Sequence, residues 1–269
     1  MGGQFVMAND RINKTIELLK ERKFVSIQEL VKLFSVSSET IRRDFAKLEQ
    51  EKILSRVHGG AISLLPNYSE HSYDQRKTEH VTEKQAIGRI AAELVMDDDT
   101  IIVSGGTTTL EFVKQLKDKK RITMITNARI LADEMMKNEN VTVIQLGGII
   151  DRIGNVTSGI MVKHCMSMIH AKKAFISSAG VSIYAETISH FREAPSQDMR
   201  QMIEAADETI LIVDHSKFFS SALWKICDLT KINFVVTDSK VDLKVLQYFR
   251  NKKIKVLVAN TNIDEITKE

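Results

Sequence analysis

Apolar positions between residues 26 and 63 recur first with helical and then with strand spacing. Ser26-Ile27-Gln28-Glu29 sets a serine at a helix cap with a glutamate three residues on, a capping box. Leu30, Val31, Leu33 and Phe34 follow as a short apolar face, broken at Phe34-Ser35-Val36-Ser37. A second helix starts at Ser37 and turns Ile41, Phe45 and Leu48 inward. The same spacing leaves Glu39, Thr40, Arg43 and Lys47 outward, with Ser38 and Arg42 on the flanks. Residues 53–57 alternate like a strand, His58-Gly59-Gly60 supplies a turn, and residues 61–63 return. Helix, tight turn, helix and glycine-tipped ribbon together predict a winged helix-turn-helix, whose second helix suits a DNA major groove. Arg56, His58 and Gly59 fall at the ribbon tip, where a wing touches phosphate or the minor groove. The competing reading is a small helical bundle with a solvated basic face.

Residues 64–81 hold Pro66, Asn67, Ser69, Ser72, two histidines and mixed charge, the pattern of a linker. A helical pattern resumes at Thr82, runs through Ile87, Ile90, Ala91 and Leu94, and closes at Asp97-Asp98-Asp99. Short apolar runs follow at 100–103, 122–126, 141–146, 174–177, 209–213, 234–237 and 254–258. Helical patterns fall between several of them, at 107–116, 129–136, 196–206 and 243–249. That alternation predicts βαβ units and a mostly parallel sheet covered on both faces. The expected organisation is an α/β chain in two parts. A small winged helix-turn-helix domain occupies 10–63, a linker 64–81, and a larger α/β domain 82–260.

Composition sharpens this picture in three places. A length of 269 residues fits two domains better than one. Residues 11–60 carry eleven Lys/Arg against seven Asp/Glu, so the net +3 of the whole chain resides in the first domain. Such charge attracts phosphate without reading sequence, and base reading falls to the outward residues of the second helix. Only Cys165 and Cys227 occur, without a CxxC pair or a secretory apolar segment, so a reducing, cytoplasmic setting is expected. No run approaches the ~20 apolar residues that cross a bilayer. The start, Met1-Gly2-Gly3-Gln4-Phe5-Val6, fails the myristoylation pattern at position 6. No His/Cys/Asp/Glu set has metal-ligand spacing, and no cofactor is expected.

Ligands of parallel α/β sheets bind beyond the carboxyl ends of the strands. There the chain places Ser104-Gly105-Gly106-Thr107-Thr108-Thr109, glycines and hydroxyls ahead of a helix, a combination suited to an anion. It is no Walker sequence, and it also reads as a tight turn with a helix cap. Further strand ends carry Thr126-Asn127, Gly147-Gly148 and Asp214-His215-Ser216-Lys217. The glycine pair also reads as a plain turn and the last segment as a solvated loop. Ser, His and Asp within one loop make no catalytic triad without the mutual geometry.

The chain resembles the DeoR-type bacterial transcriptional regulators over residues 10–240. In the first domain the likeness rests on Ser37-Ser38-Glu39-Thr40-Ile41-Arg42-Arg43-Asp44 and Leu54-Ser55-Arg56-Val57-His58-Gly59-Gly60-Ala61. In the second it rests on Glu83-Lys84, Gly106-Thr107-Thr108-Thr109, Thr126-Asn127, Leu146-Gly147-Gly148 and Asp214-His215-Ser216-Lys217. The resemblance implies an effector domain with a sugar-phosphate isomerase fold reused for sensing, a phosphorylated sugar as effector, and repression that the effector relieves. It adds Lys84 and Arg200 to the expected effector contacts, beside Ser104, Gly105, the threonine loop, Asn127, Gly147, Gly148, Asp214 and Lys217.

Departures from the family pattern concentrate at that site. Ser104 stands where the family carries an acid, and Ser178-Ala179-Gly180 lacks the acid usual before the glycine. A Gly-x-Thr becomes Ala185-Glu186-Thr187, and a Lys-Arg pair becomes Met199-Arg200. Phosphate cradling by the threonine loop, Arg200 and Lys217 is therefore expected over recognition of sugar hydroxyls. The leading expectation is a homo-oligomeric repressor, dimer or tetramer, of carbohydrate genes. It binds a double-stranded DNA operator with an affinity set by a phosphorylated sugar or related anion. One alternative is a sugar-phosphate isomerase-like enzyme carrying a DNA-binding domain, but no catalytic residue is assigned, since Ser104 and Ala179 replace expected acids and only Asp214 remains. Another is a regulator whose pocket answers to a non-sugar ligand.

Overall fold

A computed structural model describes residues 8–22, 24–57, 59–63 and 71–260. The chain divides into two compact units. In the N-terminal unit, α1 (Ala8–Arg22) leads into β1 (Phe24–Ser26), α2 (Ile27–Phe34), α3 (Ser38–Gln50), β2 (Leu54–Val57) and β3 (Gly60–Ser63). The predicted caps are in place. Ser26 Oγ accepts from the Glu29 N–H at 3.1 Å, and Ser37 Oγ accepts from the Thr40 N–H at 3.2 Å. Between the two helices Ser35 closes α2 in the left-handed conformation at φ 52°. Leu30, Phe34, Ile41, Phe45, Leu48 and Leu54 bury together with Leu18, Leu19, Val25 and Ala61.

Two elements here extend the expected pattern. β1 pairs with β3, giving a three-stranded sheet in the order β1-β3-β2. A Cβ at Gly60 would stand 2.3 Å from the Val25 carbonyl oxygen, so only glycine permits that strand to approach. α1 adds a buried ion pair. Arg11 Nε donates to Asp44 Oδ2 at 2.5 Å and Arg11 Nη2 to Oδ1 at 3.1 Å, with both residues almost wholly buried. This two-pronged bond fixes α1 across the middle of α3, the helix expected to read DNA.

The larger unit opens with α4 (Tyr73–Thr78) and α5 (Val81–Glu93). Alternation then gives β4 (Thr100–Val103), α6 (Thr107–Val113), β5 (Thr123–Thr126), α7 (Arg129–Met135) and β6 (Thr142–Gln145). A hairpin follows, β7 (Ile149–Asp151) with β8 (Val156–Ser158), then α8 (Ile160–Met166) and β9 (Ala171–Ile176). After β10 (Gly180–Ser182) and β11 (Thr187–His190) come α9 (Glu193–Glu204), β12 (Ala206–Ile212) and β13 (Trp224–Asp228). β14 (Phe234–Asp238), α10 (Leu243–Asn251) and β15 (Lys255–Ala259) complete the unit. The seven strands expected from the apolar runs form one parallel sheet in the order β15-β14-β12-β9-β4-β5-β6. Its core packs Ile101, Val103, Met124, Phe175, Ile210 and Val236 against Ile87, Leu110 and Phe112, with the Phe112 and Phe175 rings stacked at 4.3 Å. At the amino ends of the strands, buried Asp99 takes Lys172 at 2.8 Å and Lys173 at 2.6 Å, so the triple aspartate is partly a structural clamp.

Three features lay outside the alternation. β10, β11 and β13 form a small antiparallel sheet, β7 and β8 pair only with each other, and α4 lies within the stretch read as linker. Tyr73 is 5% exposed, so α4 is anchored by one aromatic ring although the rest of its sequence is polar. Cys165 and Cys227 are both free and half-buried, and burial pushes the Cys227 thiol up to about 12. Among the described residues no helix is long and apolar enough to cross a membrane.

Asp44→Ala leaves the buried Arg11 guanidinium uncompensated and is expected to destabilise the N-terminal unit by about 3–5 kcal/mol. An apolar pair, Arg11→Met with Asp44→Leu, restores most of that loss. Urea-dependent hydrogen exchange at α1 and α3 amides measures both.

Candidate nucleic-acid face and effector cleft

The outward face of α3 is built as the spacing requires. Ser38, Glu39, Arg42, Arg43 and Lys47 are exposed and Thr40 is half-buried. Thr40 Oγ1 lies 2.9 Å from Ser37 Oγ, so this hydroxyl belongs to the helix cap. Arg42 sits 3.6 Å from Glu39, a loose surface pair. Arg43 and Lys47 form no ion pair among the described residues, and their charge is available to a polyanion. In the wing, Arg56 Nε donates to Glu49 Oε2 at 2.6 Å and the Arg56 N–H donates to Glu49 Oε1 at 2.9 Å, tying β2 to the end of α3. Exposed pairs of this kind are worth at most ~1 kcal/mol, so a phosphate can claim Arg42 or Arg56 at small cost. Gly59 is exposed in the turn at φ 78°, and His58 lies outside the described residues.

In the larger unit a shallow, solvent-open cleft lies at the carboxyl ends of β4 and β5. Ser104 and Gly105 form one wall and Asn127 another, with Gly154 and Val156 of the hairpin closing over them. The Asn127 amide joins these segments. Its Oδ1 accepts from the Gly105 N–H at 3.3 Å and its Nδ2 donates to the Thr157 carbonyl at 2.8 Å. The Asn127 carbonyl in turn accepts from the Thr157 N–H at 2.8 Å. A Cβ at Gly105 would stand 2.2 Å from Val156 Cγ1, so the glycine is what lets the hairpin close down. Ser104 Oγ accepts from the Ser177 N–H at 3.1 Å, spending its hydroxyl on linking the ends of β4 and β9.

The cleft's cations come from places the spacing did not single out. Arg76 on α4 and Arg192 after β11 both line it, beside His190, Pro195 and Met199. Arg192 is ion-paired to Asp151 of the hairpin, and its N–H donates to His190 Nδ1 at 3.2 Å. Neither arginine sits in a recognisable motif. No strand was expected beside either one, so the sequence carried no signal for them.

The other expected effector residues lie elsewhere. Thr107, Thr108 and Thr109 are buried in the first turn of α6, where Thr109 Oγ1 donates to the Gly106 carbonyl at 2.9 Å. Gly147 and Gly148 make the turn from β6 to β7, with Gly148 against the Ser158 backbone. Arg200 Nε donates to the Ile226 carbonyl at 2.9 Å and Nη2 donates to the Lys225 carbonyl, so its guanidinium ties α9 to β13. Lys84 is buried, and its ammonium donates to the carbonyls of Arg76 and, at 2.6 Å, Glu79, closing the end of α4. Burial lowers its pKa, with Asp214 opposing the shift. Burial pushes Asp214 up, yet Lys217 and the Ser216 hydrogen bond outweigh it and hold the carboxyl below its usual range. Lys84, Asp214 and Lys217 thus form one electrostatic cluster, coupled to the cleft through the backbone of Arg76.

Comparison with known proteins decides the family. The model of the DeoR-like helix-turn-helix domain matches residues 11–66, and that of the DeoR C terminal sensor domain matches residues 79–239. The chain belongs to the DeoR family of transcriptional regulators. It is 35% identical over 251 residues to the uncharacterized HTH-type transcriptional regulator YulB of Bacillus subtilis, covering 93% of this chain and 96% of that one. It is 30% identical to the lactose phosphotransferase system repressor of Staphylococcus epidermidis, covering 86% and 92%. Among solved structures, ribose 5-phosphate isomerase A of Methanocaldococcus jannaschii aligns with a TM-score of 0.37 at 16% identity, over 50% of this chain and 53% of that one. That alignment is too weak to argue activity. The protein is a DeoR-type transcriptional regulator with a DNA-binding domain and a sensor domain.

His190 gives the cleft of this DeoR-type regulator a readable electrostatic signature. Burial, reinforced by the charges of Arg192 and Arg76, lowers its pKa from 6.5 to about 4. The folded state therefore binds this proton less readily than the unfolded chain. The contribution is fully present above about pH 6.5 and is lost as the pH falls through about 4, on the order of 3 kcal/mol in all. An imidazole NMR titration should place His190 near 4 and the Arg192→Gln variant higher. Titration of His190 near its ordinary value in the wild type contradicts this.

Proposed function

We propose that the cleft is the effector site and takes a phosphorylated sugar or a related small anion, whose binding changes the affinity of α3 and the wing for a double-stranded operator. The observation that carries the reading is the convergence of Arg76 and Arg192 on the polar strand-end loop of Ser104 and Gly105. Two arginines lining one cleft, Arg76 bonded through Nε to the His71 carbonyl at 3.1 Å and Arg192 to Asp151, suit a phosphate better than a neutral sugar. Carboxylates that would grip hydroxyls are scarce in this lining, where Ser104 stands in place of the family's acid. The relative named for lactose phosphotransferase repression supports carbohydrate genes as targets. In this reading the remaining expected residues act from behind the lining. The threonines set the loop, and the Lys84–Asp214–Lys217 cluster holds α4 and with it Arg76.

The working assembly is a cytoplasmic homo-oligomer, because one short α3 reads few bases and paired half-sites add affinity. The DNA-binding domain spans 10–63 and the effector domain 82–260. The stretch 64–81 between them includes α4, so the element that presents Arg76 to the effector is also the chain's route toward the wing. For any regulation to follow, the effector must bind the DNA-competent and DNA-incompetent arrangements with different affinities.

A thermal-shift screen against phosphorylated sugars and their free counterparts tests the effector class. A ligand at ~100 times its dissociation constant stabilises the native state by ~2.7 kcal/mol. One phosphorylated sugar should raise the midpoint, its free form should not, and Arg192→Ala should abolish the rise. A panel without any shift, from protein that still binds DNA, overturns the proposal. Separately, Arg43→Ala is expected to weaken operator binding by ~10-fold or more while leaving the effector shift intact. Unchanged operator affinity in a titration counts against α3 as the reading helix.

A further inference from the structure

The β7–β8 hairpin leaves its isoleucines in water. Ile149 and Ile150 are 76% and 75% exposed, and strand alternation puts them on opposite faces. Ile160 and Met161 open α8 directly after the hairpin at 76% and 62%, and Ile144 on β6 directly before it is 40% exposed. Ile149 adjoins the start of α8, its Cδ1 lying 3.9 Å from where a Cβ on Gly159 would stand. β6 is also the last strand of the parallel sheet. A two-stranded hairpin is marginal in water, and one with an isoleucine exposed on each face gains by being covered.

We infer that this hairpin, with the start of α8 and the edge at β6, is the surface through which two copies of the chain associate. Area supports a second copy. At the apolar area implied by an isoleucine's transfer free energy, the four isoleucines and Met161 expose roughly 400 Å², divided between the two faces of the hairpin, so a partner copy must clasp the hairpin to cover it. One partner of a standard interface buries ~800 Å², of which about 65% is apolar in homodimers. The chemistry supports it as well. An isologous contact brings a patch against itself, which an uncharged apolar surface permits and a singly charged one opposes. The inference rests on the reading of the chain as an operator-binding regulator, where each copy supplies one reading helix for one half-site. The same hairpin faces the effector cleft at its other end. Gly154 and Val156 line that cleft, Asp151 pairs with Arg192, and the Ile153 carbonyl accepts from the Tyr73 N–H of α4 at 3.2 Å. Effector binding therefore acts on an element that also carries the interface.

Sedimentation equilibrium on the full chain tests this without DNA or effector, so its outcome is independent of the effector assignment. The wild type should be a dimer or larger. Ile150→Lys and Ile160→Glu, each at an exposed site, should separately raise the dissociation constant at least ~10-fold while circular dichroism stays unchanged. Leu243→Lys, at an equally exposed leucine on α10, should leave the mass unaltered. A monomeric wild type, or charged hairpin variants that keep the wild-type mass, overturns the inference. Loss of mass by Leu243→Lys alone assigns the interface to another face and overturns it equally.

Discussion

The Asn127 side-chain amide joins the loop after β4 to the hairpin and so shapes the cleft. A parallel sheet delivers its loops to one edge but does not join them. Here one amide accepts from the loop after β4 and donates to the hairpin strand β8, while its own backbone closes a second link to Thr157. Asparagine is suited to this because it offers a donor and an acceptor without a charge to desolvate. With the loop and the hairpin held in register, Gly105 can lie against Val156 and the cleft acquires a wall. Without that side chain the hairpin keeps the Thr157 bonds to the Asn127 and Leu146 carbonyls, the Asp151–Arg192 pair and the contact with α4, but loses its bond to the loop after β4.

The charges around this wall are arranged so that an anion has work to do. Arg192 is already engaged by Asp151, and His190 beside it is kept neutral by burial and by two neighbouring guanidinium groups. Under the proposed reading, a phosphate in the cleft competes with Asp151 for Arg192. Arg192 is bonded to the hairpin through Asp151, and Arg76 is carried by α4. The N-terminal unit has its own fixed point, the buried Arg11–Asp44 pair, which ties α1 to α3.

The sequence was most legible where burial is continuous or caps are strong. All seven parallel strands announced themselves as apolar runs because both sheet faces are covered. Ser26 and Ser37 marked their helices because an N-cap serine has a definite bonding role. The hairpin β7–β8 was invisible for the opposite reason, as its exposed Ile149 and Ile150 break the apolar-in, polar-out alternation that betrays a strand. α4 was hidden because a six-residue polar helix with one buried tyrosine has no period to detect. The cleft's arginines were missed because a loop residue's direction depends on tertiary packing. Arg200, favoured by resemblance, spends its donors on β13 carbonyls, while Arg76 from the supposed linker faces the cleft.

Operator affinity measured with and without each candidate effector, on wild type and Arg192→Ala side by side, tests the central claim most directly. The account predicts that one phosphorylated sugar or related anion shifts wild-type affinity by ~5-fold or more, a coupling of at least ~1 kcal/mol. The free sugar should not, and neither ligand should shift the variant, which must still bind the operator. An operator affinity indifferent to every anion, or an effector response that survives loss of Arg192, would contradict it.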